Sequence, residues 1–384
     1  MKIGLKTMEI GLKTVAVVAL ARTAAPLCAD ADATLARDLP RPVYAIVLSP
    51  ETAAEPSWRA VADALAEKHR DETWTAVFTV APTNAAAALR AVQPRYVAFV
   101  LRPDEVDEPT FLALKRLMRA LDDDPYDDAF YGLVTGPDAA TALRIARSRA
   151  PKAPERLLAT TGVDADVVPG PVAVLSDAFP KGEWWEKAAD GTIVRASSTQ
   201  SLAPVFAEAW RRLDPDVVLT SAHATERNLE MPFSQGAILA KGGRFYATAW
   251  PPAAGDEPVP LAAPAREKVW LAAGNCLIAN HVADDDMVMT ALSFGKVNQF
   301  VGYFKPTWFG FVGWTTWRLF ADGERSLVES YFEANERLLR KLATGDWADA
   351  REKAGLEWDR DATIFYGDPR VNVRLPGAAA RRPK

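Results

Sequence analysis

Two segments of the chain each consist of an apolar run that stops at a reactive side chain. Residues 217–223 end in His223, and residues 268–276 end in Cys276. A buried parallel strand reads as a near-continuous apolar run, and reactive groups lie beyond the carboxyl ends of such strands. If the two predicted strands are neighbours, the imidazole and the thiol share one crevice. The pair could then work as a nucleophile and its base, because an imidazole converts a neighbouring thiol to the attacking thiolate.

Residue type and position leave a second interpretation open, in which the cysteine is a buried core residue and the histidine is hydrogen-bonded within the core. Under the catalytic interpretation, an attacked carbonyl develops negative charge on its oxygen. The backbone N–H groups of Ala224, Gly274 and Cys276 are the expected donors to that oxygen.

Three other groups of titratable residues are weaker candidates. His281 precedes the acidic residues 284–286, which could bind a metal but are better explained as the start of a helix. The acidic stretch 122–128 could hold a structural calcium ion, although it lacks the spacing of an EF-hand and is typical of a plain acidic turn. We expect His69, which lies among charged residues, to be exposed to solvent.

Strand-like and helix-like segments alternate along the chain, which predicts an α/β fold with mostly parallel sheets flanked by helices. The predicted strands are 43–48, 73–80, 96–101, 130–134, 171–175, 217–223, 268–276 and 298–304, with a hairpin at 236–249. The predicted helices are 57–69, 84–92, 110–121, 136–148, 200–213 and 327–344.

Composition shifts divide the chain into two predicted α/β subdomains, residues 40–150 and 171–376. Residues 151–170, rich in Pro, Ala and Gly, are predicted to connect them. Residues 377–384 are predicted to form a disordered tail.

The segment 303–320 contains eight aromatic residues, whose spacing is too irregular for one helix face. We therefore predict a loop that is either part of the core or the wall of a substrate pocket. Trp308, Trp314 and Trp317 are the expected wall residues. Asp177, at the end of another predicted strand, is a further candidate for substrate binding.

The charge distribution and hydropathy exclude several classes of partner. The formal net charge is −5 and no basic run is present, so we expect no nucleic-acid partner. No apolar stretch reaches the roughly 20 residues of a membrane-spanning helix.

The N-terminus has the pattern of an export signal. Lysines precede the apolar run 15–21, and residues 29–31 form an A-x-A cleavage site. We therefore predict that residues 1–31 are a signal peptide and that the mature protein is periplasmic or secreted. Removal of this segment takes Cys28 with it and leaves Cys276 as the lone thiol.

Five segments follow one another along the chain in a recognisable order: 94–100, 122–136, 217–223, 273–276 and 366–373. This order resembles that of the gingipain-like cysteine peptidases, within the wider caspase-like clan. Here Ala224 follows the histidine, whereas the family normally has glycine at that position.

This resemblance implies a caspase-like fold and a cysteine endopeptidase, with Cys276 as the nucleophile and His223 as the general acid and base. It implies a polypeptide substrate and no required cofactor. Two alternatives stay open: a catalytically inactive binding or surface protein on the same fold, and a thiol hydrolase such as an amidase. The residue preferred on the acyl side of the cleaved bond cannot be read from the sequence.

Overall fold

A computed structural model of the chain describes residues 42–149, 154–251 and 257–377. The predicted signal peptide and nearly all of the predicted tail lie outside the described residues. None of the described helices is long and apolar enough to cross a membrane.

The described residues form sixteen β-strands, and those at the centre of the larger sheet, from β16 to β6, are buried along their whole length. The strands are β1 (Val43–Leu48), β2 (Trp74–Thr79), β3 (Tyr96–Val100), β4 (Phe130–Val134), β5 (Leu157–Ala159), β6 (Val172–Leu175), β7 (Glu183–Lys187), β8 (Ile193–Ser197), β9 (Val217–Thr220), β10 (Asn228–Glu230), β11 (Ala237–Lys241), β12 (Arg244–Thr248), β13 (Val259–Pro260), β14 (Lys268–Ala272), β15 (Val297–Tyr303) and β16 (Thr363–Tyr366).

Twelve of these strands form one sheet, in the order β2-β1-β3-β4-β16-β15-β14-β9-β5-β6-β7-β8, and β10 to β13 form a second sheet. Neighbours among β1 to β4 pair in parallel, as do neighbours in the run β15-β14-β9-β5-β6. β16 pairs antiparallel with β15 and contacts β4 through the pair Tyr366–Leu133. The predicted α/β class with a mostly parallel sheet is confirmed, and one sheet runs through both predicted subdomains.

The helices within the described residues pack against this sheet. They are α1 (Pro50–Ala54), α2 (Pro56–His69), α3 (Ala86–Val92), α4 (Glu108–Met118), α5 (Ala139–Arg147), α6 (Ala203–Leu213), α7 (Met287–Leu292), α8 (Phe311–Ala321), α9 (Leu327–Thr344) and α10 (Ala350–Asp359).

Several helices begin where the sequence supplies a capping side chain. Asp107 and Asp138 each accept a hydrogen bond from the backbone N–H three residues on, at the starts of α4 and α5. At the start of α9, Ser326 and Glu329 form a reciprocal capping box. These caps satisfy N–H groups that have no partner within the helix itself.

Two predicted elements differ from the structure. The aromatic segment was expected to be a loop, yet residues 311–321 form α8, which is buried on most of its sides. A helix that is apolar all round needs no single apolar face when it lies inside the protein. The predicted connection 151–170 contains β5, which pairs with β9 and β6. Its three residues are too few to show a strand pattern.

The prediction for His69 is wrong. Its side chain is only 5% exposed, and its Nε2 lies 2.7 Å from Oδ2 of the buried Asp368. Lys68 and the Tyr44 hydroxyl also contact this carboxylate. Burial raises the pKa of Asp368, but Lys68 and His69 outweigh it and hold that pKa well below its usual range. The partner is 299 positions away, so the local sequence around His69 gave no sign of it.

Candidate active site

The two chemically reactive side chains follow adjacent parallel strands. β9 and β14 pair in register from Val217–Val269 to Thr220–Ala272. The ladder ends with a hydrogen bond of 2.8 Å from Ala273 N–H to Thr220 O. Beyond that bond the two chains continue past the same edge of the sheet. The edge therefore places the segments of His223 and Cys276 side by side, at the position where α/β folds bind ligands.

A buried hydrogen-bond network joins these two segments beyond the last ladder bond. The Asn275 side chain accepts a hydrogen bond from Thr220 Oγ1 at 2.6 Å and donates one to Ala222 O at 2.8 Å. Trp270 Nε1 donates to the same threonine oxygen at 2.9 Å. Asn275 is fully buried and immediately precedes Cys276. A hydrogen bond thus joins Asn275, the residue before Cys276, to Ala222, the residue before His223.

The Cys276 thiol is partly buried and lies against the backbone of Thr307, in the connection between β15 and α8. Thr307 N–H donates to the sulfur at 3.2 Å, and the sulfur lies 3.3 Å from Thr307 O. The N–H can donate to a thiolate, and the carbonyl can accept the proton of a neutral thiol. This backbone unit can therefore contact the sulfur in both protonation states.

The backbone around the thiol is tightly constrained. Leu277 has a φ of 59°, in the left-handed region that costs a non-glycine residue roughly 1–2 kcal/mol. A Cβ on Gly274 would lie 2.4 Å from Ser221 Oγ, so only glycine fits without displacing that serine. Unfavourable backbone geometry of this kind is concentrated at functional sites.

His223 is exposed and leads into a tight hairpin. Its carbonyl accepts a hydrogen bond from Glu230 N–H at 2.9 Å, and Thr225 N–H donates to Asn228 O at 3.0 Å. These two bonds flank the antiparallel pair Ala224–Leu229. In such a pair, the N–H and C=O groups of Ala224 point away from the partner strand.

This geometry accounts for alanine at position 224. The residue is part of an extended β-bridge and does not belong to the described residues with a positive φ. Alanine adopts extended backbone as readily as other residues, so the position does not require the conformational freedom of glycine. The N–H of Ala224 is available as a hydrogen-bond donor beside His223.

The helix α8 packs directly on the end of β14. A Cβ on Gly313 would lie 2.1 Å from Ala273 O, and the indole Nε1 of Trp314 lies 3.6 Å from the position of a Cβ on Gly274. Trp308 is 53% exposed and follows the Thr307 unit that contacts the thiol. Trp317 is only 7% exposed and packs against Phe320. A pocket wall made by these tryptophans stays a prediction, and Trp317 is the least accessible of them.

Asp177 is exposed and follows β6 by two residues. β6 is two positions from β9 in the sheet, which corresponds to about 10 Å at the ~4.8 Å spacing of neighbouring strands. Because β6 and β9 point in the same direction, Asp177 and His223 lie beyond the same edge. The separation suits a residue of the substrate pocket better than a direct partner of the imidazole.

The other acidic groups behave as helix and turn residues. Asp286 caps α7 by accepting from Met289 N–H, and its other oxygen lies 2.8 Å from Nδ1 of His281. This confirms that the acidic residues before α7 open a helix.

The acidic turn brings three carboxylates together. One oxygen from each of Asp122, Asp124 and Asp128 lies within 4.8 Å of the others. All three side chains already accept backbone N–H bonds within the turn. Burial and the neighbouring Asp122 raise the pKa of Asp128 to about 6. Calcium binding at this turn stays a prediction.

Sequence reasoning missed the polar residues that support the site. Asn275 and Thr307 carry no motif, and Thr307 lies 31 positions along the chain from the thiol that it contacts. One local signal was available, since Asn275 is a polar residue inside an otherwise apolar strand end. A polar residue in such a place needs buried partners.

The sequence matches no protein-family profile and none of the curated proteins. Its fold is similar to that of gingipain R (RgpB), an Arg-specific cysteine proteinase, with a TM-score of 0.53 and 8% identity over 88% of this chain and 79% of that chain. It is also similar to the complex of the pro- and mature domains of RgpB from Porphyromonas gingivalis, with a TM-score of 0.52 and 9% identity over 86% and 80% of the two chains. At this level of identity the likeness is one of fold, and the relationship is distant.

Proposed function

We propose that the protein is an exported cysteine endopeptidase in which Cys276 is the nucleophile and His223 is the general acid and base. One observation carries the proposal: these residues follow adjacent parallel strands whose ends are joined by the Asn275 side chain. The similarity of the fold to that of a cysteine proteinase supports it.

In the first half of the reaction, His223 takes the thiol proton, and the Cys276 sulfur forms a bond to the peptide carbonyl carbon. The carbonyl oxygen becomes an oxyanion and accepts hydrogen bonds from backbone N–H groups. Those of Ala224 and Gly274 are the proposed donors, because both lie beyond the hydrogen bonds of their strands. The C–N bond then breaks, and the imidazolium gives its proton to the leaving amine.

In the second half, His223 takes a proton from water, and the resulting hydroxide attacks the thioester carbonyl. The C–S bond breaks, the acid product leaves, and the sulfur recovers its proton. Thr307 N–H donates to the sulfur and helps to hold it in position for attack.

The substrate side chains would contact Trp308, Trp314 and Asp177. Trp308 is the most exposed of the predicted wall residues and is adjacent in sequence to the backbone unit that touches the thiol. Asp177 offers a negative charge at the same edge of the sheet. We propose that it binds a basic side chain of the substrate, in keeping with the arginine specificity of the structural neighbour.

The test is cleavage of a peptide library that varies the residue on the acyl side of the bond. We expect cleavage by the wild-type protein and none by Cys276→Ala or His223→Ala. His281→Ala is the matched control, since it removes a different imidazole, and it should retain activity. Absence of cleavage across the whole library would overturn the endopeptidase proposal.

Export is tested separately by fractionating cells that express the full chain. The proposal predicts a mature protein outside the cytoplasm that begins at Asp32, directly after the A-x-A site. A cytoplasmic protein that keeps its first 31 residues would contradict it.

A further inference from the structure

We propose that Asp359 is a positioning residue for Cys276, which it reaches through residues 304–310, here called the thiol loop. This loop connects β15 to α8. The inference rests on the proposed function only in taking Cys276 as the reactive residue.

The thiol loop sets the surroundings of the sulfur. Within the described residues, the hydrogen bonds of the Cys276 side chain go to Thr307, at 3.2 and 3.3 Å. A shift of this loop by a few tenths of an ångström would weaken both contacts and release the sulfur from the position that they set. Whatever fixes the loop therefore influences the reactivity of the thiol.

Asp359 forms hydrogen bonds at both ends of the thiol loop. Its Oδ2 accepts hydrogen bonds from Val312 N–H at 2.7 Å and from the Tyr303 hydroxyl at 3.3 Å. Gly313 N–H donates to the Tyr303 oxygen at 3.1 Å. Tyr303 is the last residue of β15, and Val312 and Gly313 lie in the first turn of α8. The three bonds thus join the two ends of the thiol loop.

The same helix that carries Asp359 contacts the loop at two further places. Trp358 Nε1 donates to Pro306 O at 2.7 Å. Gly355 packs so closely on the Phe309 ring that a Cβ there would lie 2.7 Å from it. α10 therefore contacts the thiol loop at Pro306 and Phe309, and Asp359 contacts the residues at its two ends.

A structural role alone does not account for a carboxyl group at this place. Asp359 is fully buried, and its Oδ1 has no hydrogen-bond partner among the described residues. Leaving a buried polar oxygen without a partner destabilises the fold. A neutral side chain at this position would destabilise the fold less, whereas a carboxylate makes a stronger, charge-assisted hydrogen bond to the Val312 N–H at the end of the loop.

Burial raises the pKa of Asp359 to about 6, against the opposing influence of Val312 N–H, Tyr303 and Lys115. The titratable and charged groups that face it are Tyr303 on β15 and Lys115 on α4. Lys115 in turn interacts with Asp127, Arg119 and Asp361. At neutral pH the Asp359 carboxyl, which joins the two ends of the thiol loop, is therefore negatively charged.

The experiment measures the rate at which iodoacetamide alkylates Cys276 in the full chain, from pH 5 to pH 8, with peptide mapping to separate Cys276 from Cys28. Asp359→Asn keeps an acceptor for Val312 N–H but loses the charge. We expect alkylation at pH 7.5 to be about tenfold slower, as for the loss of one charge-assisted hydrogen bond. The component of the wild-type rate that titrates near pH 6 should be absent.

Asp138→Asn is the matched control, because Asp138 caps α5 by a hydrogen bond of 2.7 Å to Thr141 N–H. It should lower the melting temperature without slowing alkylation. Asp359→Asn should slow alkylation without lowering the melting temperature at neutral pH. If Asp359→Asn does not fold, Tyr303→Phe takes its place. It removes the hydroxyl that donates to Asp359 and should also slow alkylation.

Wild-type alkylation rates in folded Asp359→Asn would overturn the inference, as would equal slowing in Asp138→Asn. Alkylation does not depend on peptide cleavage, so the two proposals fail separately. Slower alkylation in a protein that cleaves no peptide would support the positioning role and contradict only the endopeptidase.

Discussion

The side-chain amide of Asn275 donates a hydrogen bond of 2.8 Å to the carbonyl of Ala222. This bond links the residue before Cys276 to the residue before His223, past the point where the strand ladder ends. The same amide accepts from Thr220 Oγ1. The relative position of thiol and imidazole therefore depends on one buried side chain that takes no part in bond making.

Asn275→Ala tests this dependence. The change leaves the partly buried Ala222 O without its donor and the hydroxyl proton of the buried Thr220 without its acceptor, which should lower the free energy of unfolding by about 2 kcal/mol. Peptide cleavage and alkylation of Cys276 should fall together. Chemical denaturation and the alkylation rate measure the two effects.

Asn335→Ala is the control for that experiment. Asn335 is a buried asparagine on α9 that donates to Tyr331 O at 2.8 Å. It should lose similar stability while Cys276 keeps its alkylation rate. An equal loss of thiol reactivity in both variants would show that Asn275 acts through general stability.

Ala224 gives a prediction about the oxyanion site. Because its backbone is extended, Ala224→Gly should leave kcat/KM within about twofold of wild type. Ala224→Pro removes the N–H, which is not used by the hairpin, and should lower kcat by about 10²–10³-fold. Peptide hydrolysis checks both, with circular dichroism to verify the fold. Full activity in a folded Ala224→Pro variant would remove this N–H from the mechanism.

Gly313 gives a prediction about packing at the end of β14. Gly313→Ala places a methyl group 2.1 Å from Ala273 O, so α8 must move away from the strand that carries the thiol. We expect a loss of about 1–3 kcal/mol in unfolding free energy, together with slower alkylation. Gly162→Ala, where the nearest atom is 3.8 Å away, should be nearly neutral in a thermal melt. Equal melting temperatures for the two variants would contradict the close approach.

The raised pKa of Asp359 predicts that the free energy of unfolding depends on pH. Burial raises its pKa in the folded protein to about 6, from 3.8 in the unfolded chain. A raised pKa contributes stability below the unfolded value that is lost as pH rises through the folded value. Wild type should therefore lose up to roughly 3 kcal/mol relative to Asp359→Asn between about pH 4 and pH 6. Urea denaturation across this range measures the difference, and a constant difference would refute the assignment.

The sequence allowed prediction of features that are encoded locally. The apolar runs before His223 and Cys276 are long enough to indicate buried strands, and parallel pairing places such strand ends at one edge. The amphipathic spacing of residues 327–344 likewise marked α9, which the structure forms from Leu327 to Thr344.

Features that depend on distant contacts could not be predicted in this way. The aromatic residues of α8 looked irregular because the helix is buried on several sides rather than along one stripe. His69 looked exposed because its partner, Asp368, lies in another part of the chain. Asp359 looked unremarkable for the same reason, since only the folded chain brings it to the ends of the thiol loop.

The most direct test of the proposed site is trapping of the nucleophile by a peptidyl acyloxymethyl ketone, followed by peptide mapping to separate Cys276 from Cys28. The account predicts a stable adduct on Cys276 in the wild-type protein and much slower adduct formation in folded His223→Ala. A Cys276 that forms no adduct with any peptide sequence, or forms it equally fast without His223, would contradict the account.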